Sequence, residues 1–123
     1  MSLLRSGLTI ATGTTWLLTG ADSLGRKLIE ALTSDDDDSK TLAGMYLVKG
    51  GERGRRLVVD ALEKGAEAPE LVTVLQSLGG PEAEAALADL AEHEERPLAG
   101  QARRALNELT EIRRRREPWA EQS

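Results

Sequence analysis

Glycines recur at a near-constant interval in this chain. Gly20, Gly50 and Gly79 stand thirty and twenty-nine residues apart. Similar chemistry follows each one. "TGADSLGRKLIEAL" ends at Leu32, "GGERGRRLVVDAL" at Leu62 and "GGPEAEAALADLA" at Ala91. The same interval relates Glu30, Asp60 and Asp89. A period of this length marks a supersecondary unit that cannot bury its apolar face alone and must stack on its neighbours.

Each copy contains two helical patterns. After the glycine, Leu24, Leu28, Ala31 and Leu32 share one helix face; Gly54, Val58, Ala61 and Leu62 repeat them, as do Ala83, Leu87, Leu90 and Ala91. These i, i+4, i+7, i+8 spacings form the stripe of a half-buried helix. The opposite faces carry Arg26, Glu30, Arg56, Asp60, Glu63, Asp89 and Glu92, which belong in water. A polar breaker follows: "TSDDDD", "EKGAEAP" or "EHEERP". Ser34 or an Asp is placed to cap the next helix, and Pro69 and Pro97 suit a first turn. The second helices are then "SKTLAGMYLVK", "PELVTVLQSL" and "PLAGQARRALNELTEIRRRR". In the last, Leu98, Ala102, Ala105, Leu106 and Leu109 form the stripe. "LTIATGTTWLL" occupies the place of one more second helix, about residues 7–19, with Trp16 offset from Tyr46 by thirty residues and Trp16, Leu17 and Leu18 partly buried. Six or seven helices and no sheet are expected, with Leu28, Val58, Leu87 and Leu106 in the core.

Glycines before a helix also raise the prospect of a phosphate loop. Such a loop needs free backbone N–H groups at a positive helix start. Here Pro81 and Glu82 follow one pair, Gly51 and Glu52 follow Gly50, and Ala21 and Asp22 follow Gly20. Proline donates nothing and the acids repel an anion, so the glycines read as left-handed joints between helices.

The composition agrees with a helical stack. The chain has 123 residues, with no Phe, two Trp and one Tyr. Its core must come from Leu, Val, Ile and Ala, which suit helix–helix contacts. There is no Cys and one His, His93, so disulfides, thiolate chemistry and multi-histidine metal sites are excluded. His93, within "LAEHEERP", reads as a solvated residue at a helix end. Five threonines and two glycines interrupt the N-terminal run before Gly20, so it is expected to be a helix, not a leader or membrane anchor. The net charge is −5; from Arg96 onward seven Arg oppose four Glu, so that stretch is +3 and the rest −8. An acidic chain is a poor match to nucleic acid.

"LQSLGGPEAEAALADLAEHEERPLAGQARRALNEL", Leu75 to Leu109, resembles the HEAT-like repeats that include the phycobilin-lyase type. In that pattern a helix ends in Leu-Gly-Asp and Pro-Glu-Ala opens the next. An acidic turn then precedes Val-Arg-Arg-Ala-Ala. Gly80 stands in place of the Asp, and Arg103 and Arg104 occupy the arginine positions. "SDDDDSKTLAGMYLVKGG" is a more distant match, and the resemblance spans about residues 20–112. It implies an all-α fold: one domain over residues 1–123, a short right-handed α-solenoid of about three helix pairs, with a frayed basic end at about 113–123. It also implies first helices on a convex side and second helices on a concave side. The concave candidates are Gly44, Leu47, Thr73, Gln76, Ser77, Gly100, Arg103, Arg104 and Asn107, a surface running from neutral and apolar to basic.

This fold hosts unrelated roles, so the functional expectation rests on what the chain lacks and on that surface. With one His and no Cys the usual nucleophilic triads have no parts, and each carboxylate has an explanation as a cap or solvated residue. The expectation is a non-catalytic, cytoplasmic interaction or scaffold module with no cofactor, no metal and no membrane partner. It would bind a peptide or helix, possibly acidic, through Leu47, Thr73, Gln76, Arg103, Arg104 and Asn107. The alternatives are nucleic-acid binding through "IRRRREPW", as in HEAT-like DNA glycosylases with a basic concave face, or an accessory role in enzyme maturation.

Overall fold

The computed structural model describes residues 2–116. Seven helices and no strand occur among them: α1 (Ser2–Thr19), α2 (Asp22–Leu32), α3 (Asp37–Lys49), α4 (Glu52–Glu63), α5 (Pro69–Leu78), α6 (Gly80–Glu92) and α7 (Ala99–Arg116). Besides packing on its sequence neighbours, α3 touches α1 and α5, and α5 touches α7; α4 likewise touches α2 and α6. The odd-numbered helices thus form one row and the even-numbered helices the other.

Residues one period apart hold the rows in register. Lys40 bridges to Glu70 (3.3 Å), Arg96 to Glu67 (2.8 Å) and Arg113 to Glu84 (2.9 Å). Gln101 donates to the Pro69 carbonyl (3.2 Å), the Gln76 amide to the Glu108 carboxylate, and the Thr14 and Tyr46 hydroxyls pair (3.2 Å). These partners lie 29 to 32 positions apart in sequence. The interval in the sequence is therefore the contact distance along the chain between stacked pairs.

The helices form where the apolar spacing places them. Leu28 and Leu32 of α2, Val58 and Leu62 of α4, and Ala83, Leu87, Leu90 and Ala91 of α6 are buried. Their charged opposite faces are exposed. Asp36 caps α3, its carboxylate accepting from the Ser39 N–H (2.9 Å), while Asp37 and Asp38 sit in the positive first turn. Pro69 opens α5. Pro97 lies in the turn before α7, not inside the helix. His93 is the exposed C-cap of α6.

The joints are left-handed, as the glycines suggest. Gly20, Gly51, Gly79 and Gly80 all have positive φ, with Gly79 ending α5 and starting the turn into α6. In the middle joint it is Gly51 that turns, while Gly50 has an ordinary φ of −69°. Gly50 is needed for another reason: a Cβ there would overlap the Trp16 ring.

Three expectations are corrected. Leu106 is only half-buried, because Ala99, Ala102 and Ala105 make the tightest face of α7. The N-terminal helix begins at Ser2, earlier than its propensity suggests, because Trp16 anchors it in the core at 1 % exposure. Leu17 is half-buried, but Leu18 is 83 % exposed, two positions along the helix from Trp16 and off the buried face. Of the basic end expected at about 113–123, Arg113–Arg116 lie within α7, and residues 117–123 lie outside the described residues.

Candidate interaction groove

Among the described residues, no helix is long and apolar enough to cross a membrane, and no group of three or more His, Asp or Glu is arranged to hold a metal ion. A groove of about 690 Å³ lies on the odd-numbered row, between α3 and α5.

Its floor is aliphatic: Leu32 from α2, Val48 from α3 and Val74 from α5. Gly44, at the middle of α3, makes it deep. A Cβ there would stand 3.6 Å from Leu32 Cδ1 and 3.8 Å from Val74 Cγ2, filling space now open. Met45 stands on the rim at 51 % exposure, an unbranched side chain able to repack against a ligand. Thr73 and Ser77 line the α5 side as exposed positions. The Thr73 hydroxyl donates to the Pro69 carbonyl of its own helix (3.4 Å).

Charge divides the groove by ends. The α3 N-terminus supplies Asp37, and Lys40 meets Glu70 across the gap. The exposed Lys49 lies at the α3 C-terminus. A ligand lying along α3 would therefore meet acid at one end, aliphatic side chains in the middle and a cation at the other. No nucleophile is paired with a base there, and the arrangement is one for holding apolar side chains.

The residues expected on this surface divide into three groups. Gly44, Thr73 and Ser77 line the groove. Leu47 does not: it is fully buried, on the side of α3 that meets α4, where a Cβ on Gly54 would overlap the Leu47 carbonyl. Gln76, Arg103, Arg104 and Asn107 belong to a neighbouring surface on α5 and α7. There Gln76 is half-buried and tied to Glu108. Arg103 donates to the Ala91 carbonyl (3.2 Å) and meets Glu94 at 3.5 Å, so it braces the α6–α7 turn. Arg104, Asn107 and Gly100 are exposed on α7.

Sequence reasoning missed Leu32, Val48, Met45 and Lys49 as groove residues. The signal was present for two of them. Met45 and Lys49 are four apart on α3, on the same side as Thr41, the geometry that puts residues in line along a helix. Leu32 carries no such signal, because it reaches the groove from the other row. Comparison with protein-family models, with curated proteins and with solved structures returns no match to this chain.

Proposed function

We propose that this chain is a non-catalytic protein-interaction module, a short HEAT-like α-solenoid that takes a peptide or helix of another protein in the α3–α5 groove. The observation that carries this reading is the groove itself. It is open, floored by Leu32, Val48 and Val74, edged by the exposed Met45, and lies on the row of second helices. Regularly stacked helix pairs characteristically bind along such an extended face. The ligand best matched to it places apolar side chains over Gly44 and Val74 and an acidic residue near Lys49. In this reading the odd-numbered row is the concave side.

Nucleic-acid binding through Arg113–Arg116 has less to support it. Arg113 is held by Glu84, and Arg114 and Arg115 both lie near Glu111. These acids offset the charge that would have to neutralise phosphates.

The test is affinity purification of a partner with the intact chain, followed by titration of that partner against variants. Thr73→Arg, which puts a long charged side chain into the groove, should weaken binding by at least about tenfold, or about 1.4 kcal/mol. Asp60→Lys with Asp89→Lys, on the even-numbered row, should leave affinity unchanged. Arg103→Glu with Arg104→Glu reports whether the bound segment extends onto α7. If the even-row pair abolishes binding and Thr73→Arg does not, the groove assignment is wrong. A steep loss of affinity with added salt would point instead to a phosphate-bearing partner.

A further inference from the structure

Among the described residues, α1 packs on α2 and α3, and no other helix lies against the face it turns away from them. The sixteen residues from Ser6 to Ala21 carry no charge. The inward face buries Thr9, Gly13 and Trp16. The outward face shows Leu18 at 83 % exposure, with Ala11 and Thr15 exposed along the same side; Leu8, 70 % exposed, stands at the edge of this face, where it also borders a cleft toward α2. The opposite end of the molecule is different. There α7 presents Arg103, Arg104, Asn107, Glu108 and Glu111 to water. One terminal helix has the polar outer face that keeps a stack of helices soluble, and the other lacks it.

We propose that two copies of this chain associate through this face, α1 packed antiparallel against α1 about a two-fold axis. Leu8, Ala11, Thr15 and Leu18 are spaced three, four and three residues apart, which keeps them on one side of the helix. Large, small, small, large reads the same in both directions. An antiparallel pair therefore sets Leu8 beside Leu18 of the second copy, twice over. It brings the small Ala11 and Thr15 to the crossing, where the helices can approach closely. A two-fold contact requires a patch complementary to itself, and a face with no charge meets that condition without repulsion. Stacking α1 on the α7 of another copy would instead strip water from arginines and glutamates against an apolar surface that gives them no partner. A membrane surface is matched less well. Helices that lie in one carry basic flanks and an aromatic on the apolar face, whereas the tryptophan of α1, Trp16, points inward at 1 % exposure. One helix per copy makes a small contact, so the association should be weak and set by concentration.

Sedimentation equilibrium of the 123-residue chain, from about 10 μM to 1 mM, tests this directly. The average mass should rise toward that of a dimer. Leu8→Glu with Leu18→Glu should hold the chain as a monomer across the range, with its circular dichroism and Tm unchanged because both side chains are already in water. The chain has no cysteine, so single thiols report geometry cleanly. An equal mixture of Ala11→Cys and Thr15→Cys chains should yield a disulfide-linked heterodimer on mild oxidation, because the antiparallel register sets position 11 of one copy beside position 15 of the other, and Asn107→Cys should not. A monomer at all concentrations overturns the proposal. So does a dimer that survives both glutamates, or cross-linking through Asn107→Cys alone. Binding to phosphatidylserine vesicles that the two glutamates abolish, with a monomer in solution, would overturn it in favour of a membrane.

Discussion

At the scale of single residues, the glycines separate by what surrounds them. Gly54 lies inside α4 with no room for a methyl group, because the Leu47 backbone carbonyl occupies the space. Backbone cannot swing aside as a side chain can. Gly54→Ala should therefore destabilise by about 1–3 kcal/mol despite the better helix propensity of alanine, as chemical denaturation would show. Gly44 is the opposite case. A Cβ there makes ordinary contacts with Leu32 and Val74. Gly44→Ala should stabilise the fold by about 0.5–1 kcal/mol while making the groove shallower. A variant that gains Tm and loses partner affinity would show stability given up for the cavity at this position. Ser39 is a third kind of site. Its hydroxyl is buried without a hydrogen-bond partner, while its backbone N–H, which Asp36 caps, would remain in alanine. Ser39→Ala should be neutral or stabilising by up to about 1 kcal/mol in the same measurement.

At the scale of helices, burial follows the apolar stripes where a helix has one inner side. Leu28→Ala and Leu87→Ala each remove a fully buried side chain and should cost about 2–5 kcal/mol; Leu106→Ala, half-exposed, should cost clearly less. The stripes of α2, α4 and α6 were legible because one side of each helix faces the odd row and the other faces water. The helices of the odd row were less so. α5 buries Leu71, Val72, Val74 and Leu75, a width that no single stripe contains, since it packs among α3, α4, α6 and α7. Leu47 looked like a surface position for a related reason: α4 comes so close to α3, through Gly54, that it covers a side the periodicity alone leaves open. α1 was hardest to read. Its threonines and glycines argue against a helix, and what overrides them is tertiary. Trp16 fits against Gly25 and Gly50, Tyr46 lies over Gly13, and the Arg53 guanidinium sits 5.4 Å from the Trp16 ring centre. The groove was half legible, because its walls belong to one row and its floor borrows Leu32 from the other.

At the scale of the whole molecule, α1 packs on α2 and α3, and α7 on α5 and α6. Even the ties across rows stay local. Arg96, for instance, links the turn before α7 to the turn before α5 through Glu67 and the Ala66 carbonyl (3.2 Å). Arg96→Ala should cost about 1 kcal/mol, below the usual range for a charged hydrogen bond because the pair is partly exposed, and the loss should appear as faster amide exchange at the two turns while α1 and α2 keep their protection. In the solenoid reading proposed above, each helix answers only to those within about one period of it, and the number of units is then a free quantity. Duplicating residues 51–79 in tandem would set the second copy of α4 on α5 and on the first α4, where the parent sets it on α3 and α2, so the new contacts are confined to one junction. The product should fold, with two more helices and the same ellipticity per residue. A growing gene could lengthen such a protein by whole units, each addition having to reconcile only the one junction it creates, while the two end faces stay as they were.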